Sequence, residues 1–292
     1  MLKFVDYGPV MTAPPPIICE GADLYVFALD ADFDRLDGLC KTAFNVPTKN
    51  AVRCGPIGPQ VVLIFGRIDK VKGAGAGPGV HEKNVLLHVP VTIETGDESF
   101  GALFSPFVWV DNPNSLVGGR ETFGYAKTWG TIRIVGRREP STFALDTFGG
   151  DHTDEFWGMR TDVITMQRKG DVAPDLFSIM DLVGGIGDVG DLLGEWAETG
   201  VKEIFYKQFR AIDDGHPGKP PLASLAQIAI AEYVVFGAES IEPLIHLYDL
   251  KLKLLDSHPF KRQLGLRDTK NLPGYRLRTS FKVEHGAVLW HG

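Results

Sequence analysis

One lysine stands among aromatic rather than polar neighbours. Lys127 follows Tyr125-Ala126 and precedes Thr128-Trp129, at the end of a segment that begins with the apolar run Phe107-Val-Trp-Val110. Two readings fit it. As a surface residue at a strand start, its stem would snorkel over an aromatic ring and leave the ammonium in water. As a desolvated amine it would hold its proton less tightly, because burial disfavours the charged form. Free amine would then attack a carbonyl and form a Schiff base. Such an iminium is an electron sink for making or breaking a bond beside the former carbonyl. Arg120-Glu121, next to Gly118-Gly119, also has two readings. It is an ion pair that fixes the turn, or Glu121 is an acid/base near Lys127 and Arg120 binds a substrate carboxylate.

These residues need elements to hold them. Asp111-Asn112-Pro113 ends the apolar strand and leads into a short helical turn. Strands are expected at 24–29, 61–68, 85–93, 103–110, 131–135, 161–166, 203–209, 225–235 and 276–283, several separated by turn-forming Gly, Asn, Asp and Pro. Helical spacing of Phe33, Leu36, Leu39, Cys40 and Phe44 predicts a helix after Asp30-Ala-Asp32, with either aspartate as its cap. A second helix is expected at 188–199, and residues 73–79 read as a flexible loop. The sheet signal dominates without alternating βα units. The fold class is therefore α+β and mainly β, an antiparallel sheet curled into a barrel or sandwich with a few peripheral helices.

Composition narrows the function. The chain has 292 residues, 44% hydrophobic and 23% charged, which suits a soluble globular protein. Net charge is −7 with no long basic block, which argues against nucleic acid as a partner. No apolar run is long enough to span a membrane, so no membrane partner is expected. Cys19, Cys40 and Cys54 cannot all pair and read as buried residues of a reducing compartment. The start of the chain lacks a signal-peptide core, and cytoplasmic location is the expectation. Gly185-Ile-Gly187-Asp-Val-Gly190 matches a dinucleotide fingerprint, but Asp188 and Asp191 would repel pyrophosphate from the helix start. The eight histidines form no metal-ligand spacing, and no GxSxG elbow nominates a nucleophilic serine. No cofactor and no metal is expected.

The segment resembles the active-site stretch of the acetoacetate decarboxylase family. Asp111-Asn112, Gly119-Arg120-Glu121 and Tyr125-Ala126-Lys127 recur there in the same order and close to the same spacing. Weaker similarity extends over residues 22–35, 85–93, 204–215 and 251–283, so the resemblance covers most of the chain as a single domain, with an insertion at 170–200. It implies a cone-like antiparallel barrel, an apolar central pocket, a homo-oligomer, and Lys127 as Schiff-base nucleophile. The family's activated lysine is a known mechanism.

The departures carry chemistry too. Thr128 stands where the family has a second lysine, Ala22 where it has an arginine, and Ala126 replaces a proline. Asn84 falls where a pocket glutamate is expected, with Glu82 two residues away. Without the second lysine, activation of Lys127 rests on desolvation by Phe107, Phe123, Tyr125 and Trp129. Without the arginine, a β-keto acid loses a group that orients its carboxylate. The site set is therefore Lys127 and Glu121 as catalytic groups. Arg120, Tyr125, Phe107, Phe123, Asn84 and Glu82 form the substrate shell, and Tyr233 is a further proton carrier. The leading expectation is a Schiff-base lyase of aldolase or dehydratase type acting on a small keto acid such as pyruvate. Decarboxylation of a β-keto acid is the second, and a non-catalytic barrel holding an apolar carbonyl compound the third.

Overall fold

Alternation along the first strand sets the layering of the molecule. In β1 (Ile17–Asp30), Tyr25, Phe27 and Leu29 enter one buried cluster, while Ala22, Leu24 and Val26 pack on the opposite face. A strand buried on both faces needs a partner layer on each. The computed structural model describes residues 13–74, 79–150, 159–170, 200–210 and 223–292. The expected helix at 188–199 and the glycine motif at 185–190 lie outside these, as does almost all of the 170–200 insertion.

The larger sheet has ten strands. They are β1, β2 (Val52–Pro56), β3 (Gln60–Lys72), β4 (Val80–Thr95), β5 (Glu98–Val110), β6 (Lys127–Trp129), β10 (Val201–Arg210), β11 (Ala223–Pro243), β14 (Tyr275–Val283) and β15 (Ala287–His291). Their order is β2-β4-β3-β1-β14-β11-β10-β5-β6, with β15 on β11 and a further pairing of β4 with β5. That last pairing turns the sheet back on itself around a central space. The β5–β10 seam holds only the pairs Glu203–Leu103 and Ile204–Phe104, so the sheet is not closed into a regular barrel. It is also mixed rather than wholly antiparallel. β5 runs parallel to both β6 and β10, and the β5–β10 pairing joins segments far apart in sequence that local patterning does not reveal.

The smaller sheet has five strands in the order β13-β12-β9-β8-β7. They are β7 (Thr131–Val135), β8 (Thr142–Gly149), β9 (Met159–Arg168), β12 (Tyr248–Leu252) and β13 (Thr269–Leu272). The main core lies between the sheets. Phe143 of β8 packs edge-on against Tyr25, Phe27 and Tyr248 with ring centroids 5.1–5.4 Å apart. Burial of each such ring contributes about 1.5–3 kcal/mol.

Helices are few and peripheral. α1 (Phe33–Cys40) is capped by Asp32, whose side chain accepts from the Arg35 backbone amide, and continues as a wider turn over Lys41–Asn45. α2 (Pro113–Gly118) follows β5, and α3 (Phe260–Gln263) sets Phe260 edge-on against Trp109. No helix among the described residues is long and apolar enough to cross a membrane. The three cysteines are free and buried.

Candidate active site

The Asp-Asn-Pro turn fixes α2 to the sheet. Asp111 exchanges hydrogen bonds with Lys83 of β4: its carboxylate accepts from the Lys83 amide at 2.7 Å, and its own amide donates to the Lys83 carbonyl at 3.1 Å. Asn112 caps α2, accepting from the amides of Asn114 and Ser115, while its side-chain nitrogen donates to the His81 carbonyl. Pro113 occupies the first helical position, where its missing N–H costs nothing. The outcome is that Ser115 of α2 faces Glu82 of β4.

Past α2 the chain makes a wide turn over Gly119–Phe123, reverses at Gly124, which has φ 97°, and enters β6 at Lys127. Gly119 lies under the lysine stem. A Cβ at that position would sit 2.6–2.8 Å from Cδ, Cε and Nζ of Lys127. The glycine therefore makes room for the lysine.

Lys127 Nζ donates to Ser115 Oγ at 3.0 Å, and Ser115 Oγ donates in turn to Glu82 Oε2. Asn84 Nδ2 donates to the other oxygen, Glu82 Oε1, at 2.9 Å. Asn84 Oδ1 has no partner although it is buried. The ammonium also lies 5.0 Å from the centre of the Tyr125 ring. All these groups line one cavity of about 440 Å³ inside the curled sheet.

A second polar cluster lies on the same wall, centred on Glu203 of β10, which is fully buried. Its Oε2 accepts from Tyr125 at 3.0 Å and from Tyr233, and its Oε1 accepts from Ser105. Ser105 Oγ is also 2.6 Å from Nδ1 of His88. Burial pushes the Glu203 carboxyl up to about 8, against the opposing pull of the Ser105 hydrogen bond and the Lys127 charge. Burial pulls His88 down to about 3, so its ring is neutral. Burial likewise holds the Tyr233 phenol in its neutral form.

The expected site residues divide. Lys127, Tyr125, Phe123, Asn84 and Glu82 line the cavity together. Glu121 does not: it is exposed on the turn, and its charge acts on Lys207. Arg120 is exposed as well, and donates to the Lys127 backbone carbonyl at 2.9 Å, which braces the strand start but leaves no guanidinium in the cavity. Phe107 points to the opposite face of β5, stacked beside Trp109 and edge-on to Phe260. Trp129 is 39% exposed and forms no wall of the cavity. Ala22 is fully buried against Cys19 and Ile68.

Sequence reasoning missed Ser115, Ser105, His88 and Glu203. For Glu203 a signal existed: Val201, Glu203 and Phe205 alternate toward the cavity side, and a carboxylate at an inward position is costly unless it is used or partnered. As a whole, the arrangement offers one amine within reach of a hydroxyl–carboxylate relay, and a neutral carboxyl and two phenols beside it.

Comparison with known proteins fits this geometry. Residues 53–154 match the family model described as acetoacetate decarboxylase. The structure of acetoacetate decarboxylase from Legionella pneumophila is similar with a TM-score of 0.63 at 14% identity, covering 100% of this chain and 92% of that one. The enduracididine biosynthesis enzyme MppR, in complex with the condensation product of pyruvate and imidazole 4-carboxaldehyde, has a TM-score of 0.56 at 13% identity, covering 96% and 91%. An acetoacetate decarboxylase-like enzyme from Sphingomonas wittichii RW1 has a TM-score of 0.57 at 15% identity, covering 94% and 92%. No curated protein matches the chain in sequence. The chain has the acetoacetate decarboxylase-like fold, and the stretch that matches the family model contains Lys127.

Proposed function

We propose that this chain is a Schiff-base-forming lyase that processes a carbonyl substrate at Lys127 by aldol or dehydration chemistry. The observation that carries the reading is the bridge from Lys127 Nζ through Ser115 Oγ to Glu82, set in an apolar cavity. To attack, the ammonium must give up a proton, and this relay ends on a carboxylate able to take it. The amine lone pair then forms the C–N bond. The carbonyl oxygen takes up two protons and leaves as water, which gives the iminium.

Once formed, the iminium draws electrons from the adjacent carbon. A base removes the α-proton, and the C–H pair becomes the enamine double bond. Glu82 is placed for that step. The enamine carbon adds to an aldehyde carbonyl, whose oxygen becomes a hydroxyl by taking a proton. The neutral Glu203 carboxyl, with Tyr125 and Tyr233 hydrogen-bonded to it, is the proton source on that wall. The resulting iminium either keeps that hydroxyl or, after the base takes a second α-proton, expels it as water. In both cases water then adds to the iminium carbon, and cleavage of the C–N bond releases the product and frees Lys127. Pyruvate, first in the expectation from sequence, is one carbonyl compound of this type, and the MppR structure is described as a complex with a pyruvate condensation product.

The test is exchange of the α-protons of acetone into deuterated water, followed by proton NMR. The wild-type chain is expected to accelerate exchange well above buffer, and Lys127→Ala to return it to the buffer rate. Equal acceleration by Lys127→Ala would overturn the reading.

A further inference from the structure

Resting on that Schiff-base reading, we infer that the substrate is an uncharged carbonyl compound with an apolar tail, such as a medium-chain methyl ketone, and not a keto acid. The first ground is charge balance. Among the described residues that line the cavity, the cationic side chains are Lys127 and Lys72. Lys127 stays cationic as the iminium, and Glu82 balances it through Ser115. Lys72 lies 2.8 Å from Glu20, a carboxylate that Lys70 also approaches at 3.7 Å. Beside Lys127, a substrate carboxylate would therefore meet no cation among the described residues except the iminium that Glu82 already balances, and a buried carboxylate without a partner is strongly disfavoured.

Neighbouring arginines do not supply the missing charge. Arg276 of β14 binds Asp23 with Nε and Nη2 at 3.0 and 2.5 Å. Arg67 of β3 donates to the Ile134 carbonyl at 2.9 Å, at the smaller sheet. Both alternate away from the cavity face, which β1 and β14 present as Leu24, Leu277 and Phe281.

Size and lining are the second ground. A cavity of about 440 Å³ falls in the range that encloses a ligand far larger than a three-carbon acid. Its apolar walls include Leu24, Ile64, Ile68, Leu277 and Phe281. Burying a hydrocarbon tail there gains about 0.8 kcal/mol for each methylene removed from water. A short keto acid would leave most of that surface uncovered.

Proton exchange distinguishes the alternatives. The α-proton exchange of methyl hexyl ketone, acetone and pyruvate is measured with the full-length wild-type chain and with Lys127→Ala, each rate relative to its own buffer rate. The kcat/KM for methyl hexyl ketone is expected to exceed those for pyruvate and for acetone by about tenfold or more, all dependent on Lys127. Pyruvate equal to or better than methyl hexyl ketone would overturn the inference and leave the Schiff base standing. Acetone equal to methyl hexyl ketone would overturn the part assigned to the tail. Exchange that is absent, or unchanged in Lys127→Ala, for all three compounds would remove the Schiff-base reading and this inference with it.

Discussion

Glu203 shows what a single buried carboxyl does to the whole protein. Its ordinary value near 4.5 is pushed up to about 8 by burial. Between those values the folded chain holds a proton that the unfolded chain has released. The folded state then binds more protons, so stability falls as pH rises through that window. Glu203→Gln removes the titration, and a plot of denaturant midpoint against pH is expected to be flatter for the variant between pH 4.5 and 8. A slope equal to wild type would show that Glu203 is charged throughout. His88 works in the opposite sense: its ring resists protonation down to about 3, so it costs stability as pH falls below its ordinary 6.5. At this scale the sequence singled out Lys127, because aromatic neighbours around a lone lysine are visible in one line of text, but not Ser115, its hydrogen-bond partner. Glu121 and Arg120, expected near Lys127, are exposed and do not line the cavity, since adjacency along a wide turn does not decide which side chain points inward. Glu203 lies 78 residues from Tyr125 and meets it only because β10 pairs with β5.

The α2 turn and the strand after it form the element that makes a surface lysine into a cavity lysine. Asn112 caps α2, Asp111 ties it to β4, and Gly119 leaves space for the Lys127 stem. Gly119→Ala keeps a helical φ of −64° and so is compatible with the local backbone. Its methyl group must displace Cδ, Cε or Nζ of Lys127. Misplacement of a reacting group by about an ångström costs on the order of 100-fold in rate. A loss of that size in acetone exchange, with an unchanged far-UV spectrum, is the expected outcome. Full activity in Gly119→Ala would show that the lysine has another productive position. The Asp-Asn-Pro and Gly-Gly signals were legible because turns and caps are written locally. Strand ends were less so: the run expected at 225–235 is part of a strand that extends over Ala223–Pro243. Hydrogen bonding continues there past the end of the apolar pattern.

Across the molecule, the larger sheet separates stability from chemistry. One face holds the inter-sheet core around Phe143, Tyr25, Phe27 and Tyr248, and the other holds the cavity. Phe143→Ala is expected to lower stability by about 3–5 kcal/mol, as large core truncations do, measured as a shift in denaturant midpoint. Acetone exchange in the folded fraction is expected to stay near wild type. Loss of exchange out of proportion to unfolding would mean that the two faces are coupled. The mainly β class was legible from strand-length apolar runs, but the layering was not. Both faces of β1, β3 and β4 are buried, so alternation between apolar and polar residues is suppressed where it would have marked the inward side. The parallel β5–β10 pairing joins distant segments, and no local pattern specifies it.

Reductive trapping reaches the central claim most directly. The full chain is incubated with methyl hexyl ketone and borohydride, digested, and mapped by peptide mass. The expected result is a reduced adduct on Lys127, absent from Lys127→Ala. Labelling spread over exposed lysines, with Lys127 unmodified, would contradict a Schiff base at this site.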